Sequence, residues 1–129
     1  MIRPSRDTLA YIAGPYRDPR GAFHITTNIE AARILAGRLW QYGCTPVVPH
    51  LNTAHFDGLV DDQDFLDGAI AILSRCDLMV LLPPWQLSAG TRAEIRTARQ
   101  MAMPIYAWDD FKQPMPQCHF DELIPPEDP

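Results

Sequence analysis

The sequence predicts an α/β fold, a parallel sheet with helices on both faces, and three observations predict it. Short apolar runs of strand character alternate with segments whose apolar residues recur at helical spacing. Gly, Pro or polar clusters mark each change of period. The alternation itself implies parallel pairing, because each crossover returns the chain to the same end of the sheet through a right-handed connection.

Thr8–Ala13 (TLAYIA) reads as the first strand, ended by Gly14-Pro15, and a polar loop with several Gly, Pro and Arg residues runs on to Thr26. Thr27 and Glu30 form a capping-box pattern, so the first helix is expected to open there. It carries Ile29, Ala32, Leu35, Ala36, Leu39 and Trp40 on one face and stops at Gly43. Cys44–Val48 (CTPVV) is a short second strand, with Pro46 near its start where a missing donor matters least. Pro49–Val60 reads as a loop and Asp61–Arg75 as the second helix, with Phe65, Leu66, Ala69, Ile70 and Leu73 at helical spacing. The continuous apolar run Asp77–Leu82 (DLMVLL) reads as a strand covered on both faces and halted by Pro83-Pro84. A third helix, Gly90–Met103, carries Ile95, Ala98 and Ala102 and feeds a fourth strand, Pro104–Trp108 (PIYAW). Residues 109–129 turn rich in proline and acid, so an irregular tail is expected, with at most one helical turn near Phe120–Leu123.

Composition bounds the function. The chain has 129 residues, enough for one domain over 1–129 that buries a core without staples. A formal charge of −5 argues against a nucleic-acid polymer or an anionic membrane as partner, since either needs a basic face. It leaves room for a small anion held by a few arginines. Cys44, Cys76 and Cys118 are odd in number and lack metal-ligand spacing, so reduced thiols and a cytoplasmic protein are expected. No apolar stretch suits a signal peptide or a membrane span.

In a parallel sheet the loops after the first three strands open on one edge, where ligands of α/β proteins gather. The first loop offers Tyr11, Gly14, Tyr16, Arg17 and Arg20, the second His50, Asn52 and His55, and the third Trp85, Ser88, Gly90 and Glu94. Asp61, Asp62, Asp64 and Asp67 crowd the start of the second helix. Glu94 has two readings. Thr91-Arg92-Ala93-Glu94 is a capping-box pattern, in which the carboxylate folds back on the backbone. Alternatively, a carboxylate near a helix N-terminus is kept ionised by the dipole and the exposed amides, as a nucleophile must be. His50 and His55, five apart on a loop, do not make a tidy chelate, so no metal is expected. His50 suits contact with a base or sugar, and Trp85 either stacks on a base or seals its loop.

The segment Tyr11-Ile12-Ala13-Gly14-Pro15-Tyr16-Arg17, followed by Cys76-Asp77, the apolar strand, Pro84-Trp85, Ser88-Ala89-Gly90 and Glu94, resembles the nucleoside 2-deoxyribosyltransferase superfamily. That superfamily includes the 2′-deoxynucleoside 5′-monophosphate N-glycosidases. The resemblance runs from about Thr8 to Trp108 and rests on three short patches. It implies a Rossmann-like, flavodoxin-like sheet of order 2-1-3-4, with a fifth element left open. It also implies that Glu94 attacks the anomeric carbon of a (deoxy)nucleoside, releasing the base and leaving a glycosyl ester. Tyr11 matches the family's first-strand tyrosine, placed beside that glutamate, although it reads equally as a core aromatic. Transferases of free nucleosides tend to carry aspartate six residues before the nucleophile, and the monophosphate hydrolases serine. Here that residue is Ser88, and Arg17 matches a loop arginine of the hydrolases, so a 5′-monophosphate held by Ser88, Arg17, Gly14 and Gly90 is implied. Ser88 also reads as a helix cap and Arg17 as a solvated charge.

Two departures stand out. Pro15 replaces a serine of the hydrolases, and Ala69 occupies the place of the family's second carboxylate, eight residues before Asp77. Asp67 is the nearest acid and the first candidate for that role, with Asp64 behind it. The expected function is hydrolysis of an N-glycosidic bond without metal or organic cofactor. Base exchange by a transferase, and a nucleotide-binding or sensing module without turnover, are the rivals. A homodimer or larger homo-oligomer is implied by the resemblance.

Overall fold

The computed structural model describes residues 5–107. The tail, including Cys118, the turn near Phe120 and any fifth element, lies outside the described residues, as does Trp108. Strands β1 (Leu9–Ala13), β2 (Thr45–Val47), β3 (Leu78–Leu81) and β4 (Ile105–Ala107) form a parallel sheet of order β2-β1-β3-β4. Helices α1 (Ala22–Tyr42), α2 (Pro49–Asn52), α3 (Asp62–Leu73) and α4 (Ala89–Gln100) connect them, with a 3₁₀ turn at Trp85–Leu87. The expected Rossmann-like order is what forms.

Continuous apolar runs in the inner strands follow from this layering. Successive side chains point to opposite faces. Ala10, Ile12, Leu78 and Val80 therefore meet Ala32, Leu35, Ala36 and Leu39 of α1 on one face. Tyr11, Ala13, Met79 and Leu81 meet Leu73 of α3 and Ile95 and Ala98 of α4 on the other. Both faces are buried, so neither can be polar. β2 is an edge strand, which is why Pro46 within it leaves no inner ladder unpaired. Asp77 ties the start of β3 to β1, its Oδ2 accepting from the Leu9 N–H at 2.7 Å.

Three expectations are corrected. α1 opens at Ala22 rather than at Thr27, because Ala22–Thr26 contains no helix breaker and the Gly21 carbonyl accepts the first bonds from His24 and Ile25. Thr27 instead donates its hydroxyl to the Phe23 carbonyl at 3.0 Å, and Glu30 pairs with Arg33. The segment after β2 is not all loop: Pro49, whose fixed φ suits a first helical position, starts the single turn α2. Finally, Ser88 and not Thr91 caps α4, which frees Glu94 from the capping-box role. Gly43 does end α1, in the left-handed conformation that glycine tolerates at φ 117°.

Candidate functional site

A cavity of about 530 Å³ opens at the carboxyl edge of the sheet, within the range of small-molecule sites. Its walls come from the segment after β1 (Gly14, Tyr16, Arg17), from α2 and the turn beyond it (His50, Thr53, Asp57), from α3, and from the start of α4. Gly14 stands where β1 leaves the sheet against Leu82. A Cβ there would lie 2.7 Å from the Leu82 Cβ and 3.0 Å from its carbonyl oxygen, so only glycine fits. A Cβ on Gly90 would meet only the Ser88 Oγ at 4.0 Å, so that glycine is not required by packing.

Glu94 is 8% exposed and lines the cavity. Its Oε2 accepts a hydrogen bond from the buried Tyr11 hydroxyl at 2.6 Å. Burial pushes the Glu94 carboxyl up to about 7, and the Tyr11 hydrogen bond opposes this. Burial rather than the helix terminus therefore dominates the ionisation of Glu94. Counted from the Ser88 cap, Glu94 lies in the second turn of α4, beyond the free amides of the first. Tyr11 is held protonated, its acidity suppressed first by burial and then by the neighbouring carboxylate.

Ser88 is the helix cap that its sequence position suggested, and it also lines the cavity. Its Oγ accepts from the Thr91 N–H at 3.1 Å and the Thr91 hydroxyl at 2.9 Å, while its own proton remains for a ligand in the cavity that it lines. His50 is 5% exposed and donates from Nε2 to the Pro15 carbonyl at 2.9 Å. It meets the Tyr16 ring edge-on. Burial pushes its pKa down, so the ring is neutral, and its Nδ1 is buried without a partner among the described residues. His50 thus pins the Gly14–Arg17 loop from below.

Arg17 also lines the cavity, but its guanidinium is already engaged, with Asp57 at 3.1 Å and Asp62 at 2.6 Å. Asp67 is not brought to the site: it is exposed and accepts from Gln63 at 2.8 Å. The cavity face of α3 is Asp62, Phe65, Leu66 and Ala69, the spacing of one helical stripe, and Asp67 falls on the other side. Asp64 is occupied at the helix start, where its Oδ2 accepts from the Asp61 N–H. Trp85 packs against the core beneath the 3₁₀ turn and does not line the cavity. Among the described residues, no cluster of three or more His, Cys, Asp or Glu side chains is placed to hold a metal.

Sequence reading missed Asp57. Its signal was the Asp57-Gly58 pair, a turn signature on a loop at the ligand edge.

With the geometry established, comparison with known families adds one result. Residues 8–108 match the family described as a domain of unknown function, DUF7768. The chain belongs to that family. The matched span takes in all four strands and the helices between them. A search of curated proteins finds no match. Among the described residues, no helix of this DUF7768 member is long and apolar enough to cross a membrane.

Proposed function

We propose that this protein cleaves the N-glycosidic bond of a nucleoside or its 5′-monophosphate, with Glu94 as the nucleophile. The observation that carries this reading is the Tyr11–Glu94 pair, a buried carboxyl held by a hydroxyl at 2.6 Å in the wall of a nucleoside-sized cavity. A carboxyl that burial raises to about 7 inside a cleft is a candidate acid, base or nucleophile. Oε2 is occupied by Tyr11, which leaves Oε1 for the anomeric carbon. Attack forms the C1′–Oε1 bond as the C1′–N bond breaks, and the base departs with that electron pair and takes up a proton. Water then attacks C1′ and restores the carboxylate, as in retaining glycosidases. One water is consumed, its hydroxyl going to the sugar and a proton to the base.

The sequence resemblance supports the same chemistry and suggests a homodimer or larger assembly, and the unpaired cysteines suit a cytoplasmic protein. The test is incubation with a panel of nucleosides and 5′-monophosphates, with chromatography for free base. Release by the wild type and its loss in Glu94→Gln are expected. Release that survives in Glu94→Gln, or none from any substrate, overturns the proposal.

A further inference from the structure

Arg17, Asp57 and Asp62 come from three different segments and meet at the wall of the cavity. Arg17 Nη1 contacts Asp57 Oδ2 at 3.1 Å and Nη2 contacts Asp62 Oδ1 at 2.6 Å. The second oxygen of Asp57 accepts from the Tyr16 hydroxyl at 3.1 Å, and that hydroxyl in turn accepts from the His55 N–H. Each terminal nitrogen of the guanidinium therefore faces a carboxylate, Asp57 held by the Tyr16 hydroxyl and Asp62 on the exposed first turn of α3. The described residues lining the cavity contribute three carboxyl groups, Asp57, Asp62 and Glu94, against the one guanidinium of Arg17. Burial disfavours a charge on the His50 ring, which lies 5% exposed.

We infer that Asp57 and Asp62 are specificity determinants that hold Arg17 in an ion cluster, so that the cavity takes an uncharged nucleoside in preference to its 5′-monophosphate. The inference rests on the N-glycosidase reading and narrows its substrate class. A phosphate dianion would have to share one guanidinium with two carboxylates and sit beside them, where like charges repel. A sugar 5′-hydroxyl meets no such cost. Being both donor and acceptor, it suits a cavity lined by the Ser88 hydroxyl and the two carboxylates alike. The pairing of Ser88 with Arg17 implies a phosphate site only while Arg17 has no other anion to hold.

The experiment compares the wild type with the Asp57→Asn/Asp62→Asn double variant, using common 2′-deoxynucleosides and their 5′-monophosphates. Both residues are exposed and Asn preserves their size, so folding is expected to survive, as thermal melts will check. The wild type should favour nucleosides in kcat/KM by at least about tenfold, and the double variant should move the ratio toward monophosphates by at least about tenfold. Arg17→Ala in the double variant should then abolish the regained phosphate binding. A wild type that favours monophosphates, or a ratio unchanged in the double variant, overturns the inference. The same ratios read as Kd by calorimetry on a Glu94→Gln background separate the two proposals. Absence of base release with the expected Kd ratio overturns only the enzymatic reading, and absence of binding by either ligand overturns both.

Discussion

The Tyr11 hydroxyl and Glu94 Oε2 lie 2.6 Å apart although 83 residues separate them in the chain. β1 carries one and α4 the other, and the packing of α4 on the sheet brings them together. Tyr11 donates a single proton that it does not surrender, and Glu94 keeps one oxygen for chemistry. The pair makes the site testable by conservative substitutions that leave the fold in place.

Glu94→Gln keeps the shape of the side chain and an acceptor for Tyr11 but removes the nucleophile. Base release should fall by at least about a thousandfold, or roughly 4 kcal/mol of transition-state stabilisation. Steady-state rates on the substrate found in the panel check this.

The same substitution should stabilise the protein at alkaline pH. Glu94 is raised in the folded state from 4.5 to about 7, so folding takes up a proton between these values. Its stability contribution is fully present below about pH 4.5 and is lost as the pH rises through about 7, a change of up to roughly 3 kcal/mol. Glutamine has no such dependence. The Tm of Glu94→Gln relative to wild type should therefore be higher at pH 8 than at pH 5, and an equal difference at both would place the Glu94 pKa in its ordinary range.

A nucleophile must be ionised, so kcat/KM should rise with pH through about 7 and level off above it. If Glu94 instead served as a general acid, the profile would fall through the same range. The direction of that limb distinguishes the two roles.

Tyr11→Phe removes the hydrogen bond that lowers the Glu94 pKa. The acid limb of the pH profile should move to higher pH, a readout that a packing role for Tyr11 would not shift. A buried carboxyl oxygen left without its donor should also destabilise the fold by about 1–3 kcal/mol, visible in denaturant melts.

Asp67→Asn should leave base release within about threefold of wild type, as expected for an exposed side chain outside the reacting shell. A loss of a hundredfold or so, the scale of general acid catalysis, would return Asp67 to the site.

Local patterns determined the sheet. Continuous apolar runs at β1 and β3 required cover on both faces, and the helical periods between them required parallel crossovers, whereas the strand order came from the family resemblance. Much of the site inventory was legible as well, since Gly14, Arg17, His50, Ser88, Gly90 and Glu94 all lie on segments at the carboxyl edge, and all line the cavity. What the sequence could not carry was anything that depends on depth or rotation. Glu94 looked like a first-turn carboxylate until Ser88 proved to be the cap, which places it a turn deeper in a buried wall. Asp67 and Asp62 are chemically alike, and only the rotation of α3 on the sheet decides that Asp62 faces the cavity and Asp67 faces water. Arg17 read as an open cation because its partners, Asp57 and Asp62, are 40 and 45 residues away in sequence. Periodicity is a local property of a chain, whereas burial and ion pairing are set by whichever distant segment folds against it.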